Sequence, residues 1–152
     1  MTGAAAVRDV VIGLDLGTTS TKAVAFTPDG SQLAQASHGY ELQTPHPGYA
    51  VQDPQQILAA AYRAVADVAR EVGADRVRGI SFSSAMHSLM GLGPLYEPMT
   101  PVITWGDTRA APQAERLRGG VNGLALHRRT GTPIHPMSPL TKLIWFKLDK
   151  QM

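Results

Sequence analysis

The sequence of 152 residues contains no cysteine, and only 6% of its residues are aromatic. The absence of cysteine excludes disulfide bonds and thiolate metal ligands, and it is typical of a cytoplasmic protein. No run approaches the roughly 18 apolar residues of a membrane-spanning helix. The opening stretch MTGAAAVRD lacks the charged and apolar regions of a signal peptide. We therefore expect a cytoplasmic protein with no membrane partner.

Charge is also scarce: charged side chains make up 17% of the sequence, with 14 Lys and Arg against 12 Asp and Glu. The basic residues are scattered apart from the pair Arg128-Arg129, so no basic patch predicts a nucleic-acid partner. A hydrophobic content of 43% over this length is sufficient for a folded core.

The most informative segment is Val10–Phe26, in which two apolar runs enclose a polar stretch rich in glycine and hydroxyl groups. The runs Val10–Leu14 and Ala23–Phe26 predict buried strands. The polar stretch between them predicts the turn of a β-hairpin.

The composition of this turn indicates a phosphate site. Gly17 allows the backbone to bend close to a ligand, and Lys22 supplies a positive charge. Hydroxyl and amide donors come from Thr18, Thr19, Ser20 and Thr21. Asp15, beside the phosphate, is suited to hold a hydrated Mg²⁺. The alternative is a threonine-rich hairpin that binds no ligand.

The spacing of the glycines excludes two common phosphate motifs. Gly13 and Gly17 fit neither the P-loop pattern G-x-x-x-x-G-K-[ST] nor the dinucleotide pattern G-x-G-x-x-G. The residues instead follow the order D-x-G-T-x-S-x-K. This pattern resembles the first phosphate motif of the superfamily that contains sugar kinases, Hsp70 and actin.

The segments after the hairpin predict an α/β fold with a mixed sheet. Ser31–Tyr40 alternates as a third antiparallel strand, whereas Leu42–Gln52 contains prolines and a glycine and predicts a surface loop. Asp53-Pro54 is typical of a helix start, and Gly73 of a helix end. Val77–Ser83 then predicts a strand joined to the first sheet by a parallel crossover. The apolar stripe of the intervening helix consists of Ile57, Ala61, Val65, Val68 and Val72.

The residues after the predicted parallel strand are small and polar, and they include Met86, His87 and Ser88. Ligands of open α/β sheets lie beyond the carboxyl ends of the strands, so this loop and the Asp15 turn are predicted to face one cleft. A purely structural role for His87 is the alternative.

A second candidate set follows the apolar segment Pro101–Trp105 and comprises Trp105, Asp107 and Arg109. Tryptophan stacks on the C–H groups of a polyol, while aspartate and arginine bind hydroxyls or a carboxylate. The alternative is that Asp107 caps a helix over 108–118 and that Arg109 is a solvated residue of that helix.

The last part of the chain predicts short helices and a rigid loop. Leu124–Arg129 predicts a helix ended by Gly131, and residues 132–139 are too rich in proline for regular structure. A final helix is predicted to begin at Ser138-Pro139. Its buried side is predicted to consist of Leu140, Leu143, Ile144, Trp145 and Phe146.

Five segments, in order, resemble the N-terminal part of the FGGY family of carbohydrate kinases, and the resemblance runs from about Val10 to Lys147. The segments are DLGTTSTK, PGYAVQDP, GISFSSAMHSL, TPVITWGDTRA and RTGTPIHPMSPLTKLIWF. The resemblance implies an actin-like or ribonuclease H-like mixed sheet, with three antiparallel strands followed by a parallel crossover. It also implies that residues 1–152 are part of the N-terminal actin-like domain and that the C-terminal domain is absent.

Within the family, the segments AMHSL, TWGDTRA and RTGTPIHPMSPL most resemble those of gluconate kinases. This resemblance implies a small-molecule sugar acid as substrate, with ATP- and Mg²⁺-dependent conversion of gluconate to 6-phosphogluconate. His87 suits such a substrate because it stands where glycerol kinases carry an acidic residue, which would repel a carboxylate. A xylulose kinase or another pentulose or polyol kinase is the alternative. An alternative of another class is a non-catalytic actin- or Hsp70-like nucleotide-binding domain.

The resemblance also implies roles for individual residues. Asp15 would hold Mg²⁺ through water, and Arg109 would pair with the substrate carboxylate. Phosphate contacts are expected from Gly17, Thr18, Thr19, Ser20 and Lys22. Sugar contacts are expected from Met86, His87, Ser88, Trp105, Asp107, Arg109 and Met137. The general-base Asp is expected beyond Met152, so the isolated chain is expected to be inactive. The chain is also expected to self-associate, as a homodimer or otherwise, through faces that the truncation exposes.

Overall fold

The computed structural model describes residues 9–149, which form an α/β structure of six strands, four α-helices and one short 3-10 helix. The strands are β1 Val10–Leu16, β2 Ser20–Phe26, β3 Gln32–Gly39, β4 Val51–Gln52, β5 Val77–Ser84 and β6 Val102–Ile103. The helices are α1 Pro54–Val72, α2 Ala111–Gly119, α3 Gly123–Thr130 and α4 Pro139–Asp149. The predicted domain range, 1–152, extends beyond the described residues at both ends.

The described residues group into two compact units. The first contains the residues up to Glu41 together with Gln55–Ser84, and the second contains Leu42–Pro54 and the residues from Ala85 onward. The first unit therefore holds the predicted phosphate hairpin, and the second holds the predicted sugar-binding segments.

The first unit is built on a four-stranded sheet with strand order β3-β2-β1-β5. β2 pairs antiparallel with both β1 and β3, whereas β5 pairs parallel with β1. α1 lies between β3 and β5 in the sequence and supplies the crossover. The predicted mixed sheet, with three antiparallel strands followed by a parallel strand, is confirmed.

The β1–β2 hairpin has a tighter turn than the sequence predicted. β1 extends to Leu16 and β2 begins at Ser20, so only residues 17–19 form the turn. Asp15 and Lys22 are consequently paired strand residues, so Asp15 lies near the end of its strand as predicted, whereas the assignment of Lys22 to the turn was wrong. The physical reason is that threonine is β-branched and favours extended backbone, so the hydroxyl-rich stretch continues the strands.

One face of the sheet packs against α1. Strands β1, β2 and β3 contribute buried side chains from Val10, Ile12, Leu14, Ala23, Ala25 and Ala34. The buried residues of α1 are Ala60, Ala64, Val68 and Val72. The predicted stripe was therefore correct for Val68 and Val72. Ala61 and Val65 also pack against this core but are only partly buried. Small alanine side chains allow the helix to approach the sheet closely, which explains why they occupy the innermost positions.

A charged cluster joins β3 to α1 at the surface. His38 Nε2 lies 2.8 Å from Asp67 Oδ2, and Arg70 donates a hydrogen bond of 3.0 Å to Asp67 Oδ1. The hydrogen bonds from His38 and Arg70 lower the pKa of the Asp67 carboxyl below its ordinary value. This cluster fixes the edge strand β3 against the helix that covers the sheet.

The second unit contains a small sheet in which β4 pairs antiparallel with β6. The backbone of Gln43 also pairs with Val51, and that of Leu89 pairs with Ile103. Ala50, Val51 and Gln52 are buried, so the prediction of a surface loop was wrong for these residues. The prolines and the glycine lie in the first part of the segment 42–52, before the buried residues. The pairing of β4 with the distant β6 carried no local signal in the sequence.

The helices of the second unit follow the predicted order. α2 begins at Ala111, three residues later than predicted, and α3 ends at Gly131 in a left-handed conformation as expected. The predicted buried side of α4 was partly wrong, because Leu140 and Leu143 are 43% and 53% exposed. The residues that α4 buries are Thr141, Lys142 and Phe146. Among residues 9–149, no helix is long and apolar enough to cross a bilayer.

Candidate active site

The hairpin turn of the first unit is held in shape by its own backbone. The amide of Gly17 donates a hydrogen bond of 3.0 Å to the carbonyl of Ser20. A Cβ atom at Gly17 would lie 2.9 Å from that carbonyl oxygen, closer than carbon and oxygen can pack. Glycine is therefore required at this position, as expected from the sequence, although the cause is this close contact within the turn.

Tyr40 supports the turn from the end of β3, and sequence reasoning missed it. Its hydroxyl donates a hydrogen bond of 2.6 Å to the carbonyl of Gly17, and its amide donates one of 3.0 Å to the carbonyl of Thr19. The hydroxyl of Thr21, which is fully buried, donates a longer bond of 3.3 Å to the Tyr40 hydroxyl. Thr21 thus stabilises the turn from within and is not directed to a ligand.

Asp15 and Lys22 lie side by side on the sheet face that does not carry α1. They are paired across β1 and β2, and Asp15 is aligned with Ser83 of β5. The side chains of Asp15 and Lys22, with Ser81 and Ser83, contribute to the lining of a shallow pocket of about 280 Å³. One carboxylate, one ammonium and two hydroxyls are suitable chemistry for a phosphate chain and its cation.

This pocket offers little direct protein ligation for a metal. Among residues 9–149, no group of three or more His, Cys, Asp or Glu side chains could together hold a metal ion. The single carboxylate of Asp15 fits a cation that keeps most of its water and phosphate ligands, as Mg²⁺ commonly does. Thr18 and Thr19 lie in the turn and Ser20 directly follows it, so these predicted phosphate-binding residues lie together at the end of the β1–β2 hairpin.

In the second unit, the loop after β5 carries Met86, His87 and Ser88. Met86 is 71% exposed, whereas His87 and Ser88 are half-buried. His87 has a φ of 64°, a left-handed conformation that is uncommon outside glycine. A conformation of this kind persists only where neighbouring contacts hold it.

The segment after β6 places Asp107 and Arg109 against each other. Arg109 donates from Nε to Asp107 Oδ1 at 2.9 Å and from a terminal nitrogen to Oδ2 at 2.7 Å. Asp107 also accepts hydrogen bonds from the amides of Ala50, at 2.7 Å, and of Arg109 itself, at 3.0 Å. The Asp107 side chain is inaccessible to solvent, and that of Arg109 is 8% exposed.

Two aromatic rings enclose the Arg109 guanidinium. Its central carbon lies 3.7 Å from the centre of the Tyr49 ring and 5.0 Å from that of Trp145. Such cation–π contacts strengthen when the cation is desolvated. The alternative in which Asp107 caps a helix and Arg109 is solvated is therefore wrong, since α2 begins only at Ala111. Sequence reasoning also missed Tyr49, whose position upstream of β4 gave no hint of this contact.

Trp105 and Met137 occupy accessible segments of the same unit. Trp105 is 49% exposed and directly precedes the turn that leads to Asp107. Met137 is half-buried in the proline-rich loop before α4, where its amide hydrogen-bonds to His135 Nδ1 at 3.2 Å. The direct sugar contacts predicted for both residues remain predictions.

A buried lysine connects the two candidate sugar-binding segments. The ammonium of Lys142 donates hydrogen bonds of 2.7 Å to the carbonyl of His87 and 2.7 Å to the carbonyl of Thr104. Burial lowers the pKa of this ammonium from 10.5 to about 8, opposed by the nearby Asp107 carboxylate and reinforced by Arg109. The Lys142 side chain thus brings together two segments that the sequence identified separately.

Comparison with known proteins identifies the family. A family model described as the FGGY family of carbohydrate kinases, N-terminal domain, matches residues 10–152. The gluconokinase of Bacillus subtilis (strain 168) is 41% identical over 141 residues, which make up 93% of this chain and 28% of that protein. The chain therefore spans less than a third of this relative.

Solved structures agree with this result. The crystal structure of gluconate kinase from Lactobacillus acidophilus superposes with a TM-score of 0.89 at 37% identity, covering 94% of this chain and 29% of that one. That of ligand-bound xylulose kinase from the same species gives a TM-score of 0.88, also at 37% identity, covering 93% and 29%. These likenesses confirm the predicted actin-like fold. The chain belongs to the FGGY family of carbohydrate kinases.

Proposed function

We propose that the whole protein to which this chain belongs transfers the γ-phosphoryl group of ATP to a hydroxyl of a sugar acid, with gluconate as the substrate. The observation that carries the choice of a sugar acid is His87, a half-buried residue with no acidic neighbour in the loop 84–88. An acidic residue here would repel a substrate carboxylate, whereas imidazole donates or accepts a hydrogen bond. The identity of 41% to a gluconokinase supports the same choice.

The phosphate chain of ATP is proposed to bind at the β1–β2 hairpin. Lys22 would neutralise phosphate charge, and Thr18 and Thr19 would donate hydrogen bonds from the turn. Asp15 would hold the hydration shell of Mg²⁺, which when bound neutralises charge on the transferred group. Gly17 and Ser20 contribute by closing the turn through their backbone hydrogen bond of 3.0 Å.

The sugar acid is proposed to bind at the two loops that Lys142 connects. Met86, His87, Ser88 and Trp105 are the proposed contacts, with Met137 as a wall. Trp105 is half-exposed and presents an aromatic surface on which the C–H groups of a polyol can stack. The contacts predicted for Asp107 and Arg109 remain proposals. Their pairing supports an additional role, in which they hold the Trp105 loop in place.

The catalytic base is proposed to be an aspartate beyond Met152. We also propose that residues 1–152 represent part of the N-terminal domain and that this chain alone lacks useful kinase activity. Loss of a general base alone lowers a rate by about 10²–10⁴-fold. An assay of residues 1–152 with gluconate and ATP checks this expectation, and turnover comparable to that of the whole protein would contradict it.

The substrate proposal is tested with a matched pair of variants at His87. Aspartate and asparagine have nearly the same shape and both tolerate the left-handed conformation of this residue. In the whole protein, His87→Asp should raise the KM for gluconate at least about tenfold above that of His87→Asn, because only aspartate repels the carboxylate. The two variants should have similar KM values for xylulose, which carries no charge.

A xylulose kinase is the second candidate, because a xylulose kinase structure matches this chain at the same 37% identity as a gluconate kinase structure. Measuring the activity of the unsubstituted whole protein on a panel of substrates decides between the two candidates. A higher kcat/KM for gluconate than for xylulose, ribulose and glycerol supports the proposal. Preference for a neutral sugar, or equal effects of the His87 variants on both substrates, would contradict it.

A further inference from the structure

Lys142 is an unusual residue because its charged side chain is completely buried. It lies on α4, has no solvent exposure, and ranks among the largest fully buried side chains of the described residues. Lysine is rarely buried to this extent unless its ammonium group is paired. Its two observed acceptors are main-chain carbonyl groups, those of His87 and Thr104.

The two carbonyls belong to separate loops that carry proposed sugar contacts. His87 lies in the loop after β5, and Thr104 directly precedes Trp105 in the loop after β6. The two loops are already joined further along by hydrogen bonds of 3.0 and 2.7 Å between the backbones of Leu89 and Ile103. Lys142 adds a second connection on the side of the proposed sugar contacts.

The connection also acts on the conformation of each loop. The φ of 64° at His87 is uncommon for this residue type and requires support from its surroundings. The hydrogen bond from Lys142 to the carbonyl of the same residue supplies such support. On the other side, Thr104 is fixed to Ala50 by bonds of 3.0 Å from its amide and 2.9 Å from its hydroxyl.

A lysine is a costly choice for this position if stability alone is considered. Burial of an ammonium group opposes folding, and an apolar side chain of similar length could fill the same volume. What an apolar side chain cannot provide is two hydrogen bonds to two different loops. The charges of Asp107 and Arg109 act on the ammonium, so it lies in a polar cluster.

We infer that Lys142 is a positioning residue for sugar binding, which fixes the His87 loop and the Trp105 loop relative to each other. This inference rests on the proposed function for the identity of the ligand, but not for the mechanical connection. Lys142 would act through the two loops without touching the substrate itself. Its loss should therefore weaken sugar binding and leave nucleotide binding unchanged.

The test compares Lys142→Met with Lys147→Met in the whole protein. Methionine keeps the length and volume of the buried chain but donates no hydrogen bond. Lys147 is an exposed lysine on the same helix and serves as the matched control. For Lys142→Met we expect the KM for gluconate to rise at least about tenfold, as for lost bonds to a charged group. The KM for ATP should stay within about twofold, and Lys147→Met should change neither value.

Hydrogen exchange provides a second readout that needs no substrate. In Lys142→Met, amides of residues 85–89 and 104–109 should exchange at least about tenfold faster, while those of β1 and β2 keep their parent rates. A variant that folds with unchanged loop exchange and an unchanged KM for gluconate would overturn the inference. If Lys142→Met does not fold, Lys142→Gln is measured in the same way, and failure of both variants to fold would also overturn it.

The two proposals fail in distinguishable ways. If the parent protein phosphorylates no sugar acid, the proposed substrate is wrong. The exchange measurement then still decides whether Lys142 connects the two loops, and the KM for whichever sugar is accepted replaces that for gluconate.

Discussion

Arg109 and Asp107 form a two-point ion pair that is almost completely removed from solvent, with N···O distances of 2.9 and 2.7 Å. Asp107 also accepts a hydrogen bond from the amide of Ala50, at 2.7 Å, so the pair joins the loop after β6 to the segment before β4. The Tyr49 ring lies over the guanidinium. The pair is therefore part of the structure that supports the Trp105 loop.

We predict that Arg109→Ala lowers the free energy of unfolding by about 3–5 kcal/mol, because it leaves the buried Asp107 carboxylate unpaired. Arg109→Lys should be less harmful but still destabilising, since lysine keeps the charge and loses the two-point geometry and ring stacking. Urea unfolding followed by circular dichroism measures both. Arg116→Ala, at an exposed position of α2, is the control and should lie within about 0.5 kcal/mol of the parent.

Urea unfolding and gluconate binding of Arg109→Ala together separate two roles of Arg109. If Arg109→Ala binds gluconate with unchanged affinity in the whole protein, the predicted pairing of Arg109 with the substrate carboxylate is wrong. An unchanged free energy of unfolding would instead contradict the supporting role that the buried pair indicates.

A second prediction concerns Lys142 and pH. Burial lowers the pKa of its ammonium from 10.5 to about 8 in the folded protein, whereas the unfolded chain keeps the ordinary value. Below pH 8 both states carry the proton, and the cost of the buried charge is fully present. Between pH 8 and 10.5 only the unfolded state holds the proton, so the stability of the parent rises relative to that of Lys142→Met.

Unfolding free energies of the two proteins, measured in parallel from pH 7 to 10, check this prediction. Other titrating groups are common to both proteins and cancel in the difference. The slope should not exceed about 1.4 kcal/mol per pH unit, the limit for one proton. A difference that stays flat or falls as the pH rises would contradict the lowered pKa.

Lys142 also illustrates what the sequence could not predict. Most of the residues around it on α4 are apolar, and a lysine among them is normally assigned to the exposed side. Its two partners are main-chain carbonyls 55 and 38 residues away in the sequence, and a carbonyl is present at every position. No residue type therefore marks the contact, and Leu140 and Leu143 were placed on the buried side instead.

The sheet was predictable because its signals are local. Alternating apolar residues, a turn, and Pro54 at the start of a helix were enough to give three antiparallel strands and a parallel crossover. Tyr40 was not identified because its bond to the Gly17 carbonyl depends on the pairing of β3 with β2. For Asp107 and Arg109, the sequence identified the residue types but not that they bind each other.

The third prediction concerns the phosphate hairpin. In the whole protein, Asp15→Asn should weaken the binding of Mg²⁺-ATP about ten- to hundredfold, as expected for a lost interaction with a charged group. Lys22→Met should weaken ATP binding with or without Mg²⁺, because its proposed contact is with phosphate. Isothermal titration calorimetry measures both, and Glu115→Gln, at an exposed acidic residue of α2, is the control. Unchanged titration heats for Asp15→Asn would exclude the proposed role of this residue.

The fourth prediction concerns the exposed edge of the sheet in the first unit. Within residues 9–149, β5 pairs with β1 on one side only, and its Ile80 and Phe82 side chains are 41% and 69% exposed. Apolar edge strands with free backbone groups favour pairing with another chain. We therefore expect the 152-residue chain to self-associate as its concentration rises, with this edge as the contact.

Light scattering coupled to size-exclusion chromatography, over a range of loading concentrations, tests that expectation. Phe82→Lys should shift the chain toward the monomer, because a charge on an edge strand opposes strand pairing. Tyr62→Lys is the matched control, since Tyr62 is a 70% exposed aromatic residue that belongs to α1 and not to the edge strand. A monomer at every concentration would contradict self-association, and an equal effect of the two variants would show that general hydrophobicity, rather than the β5 edge, drives it.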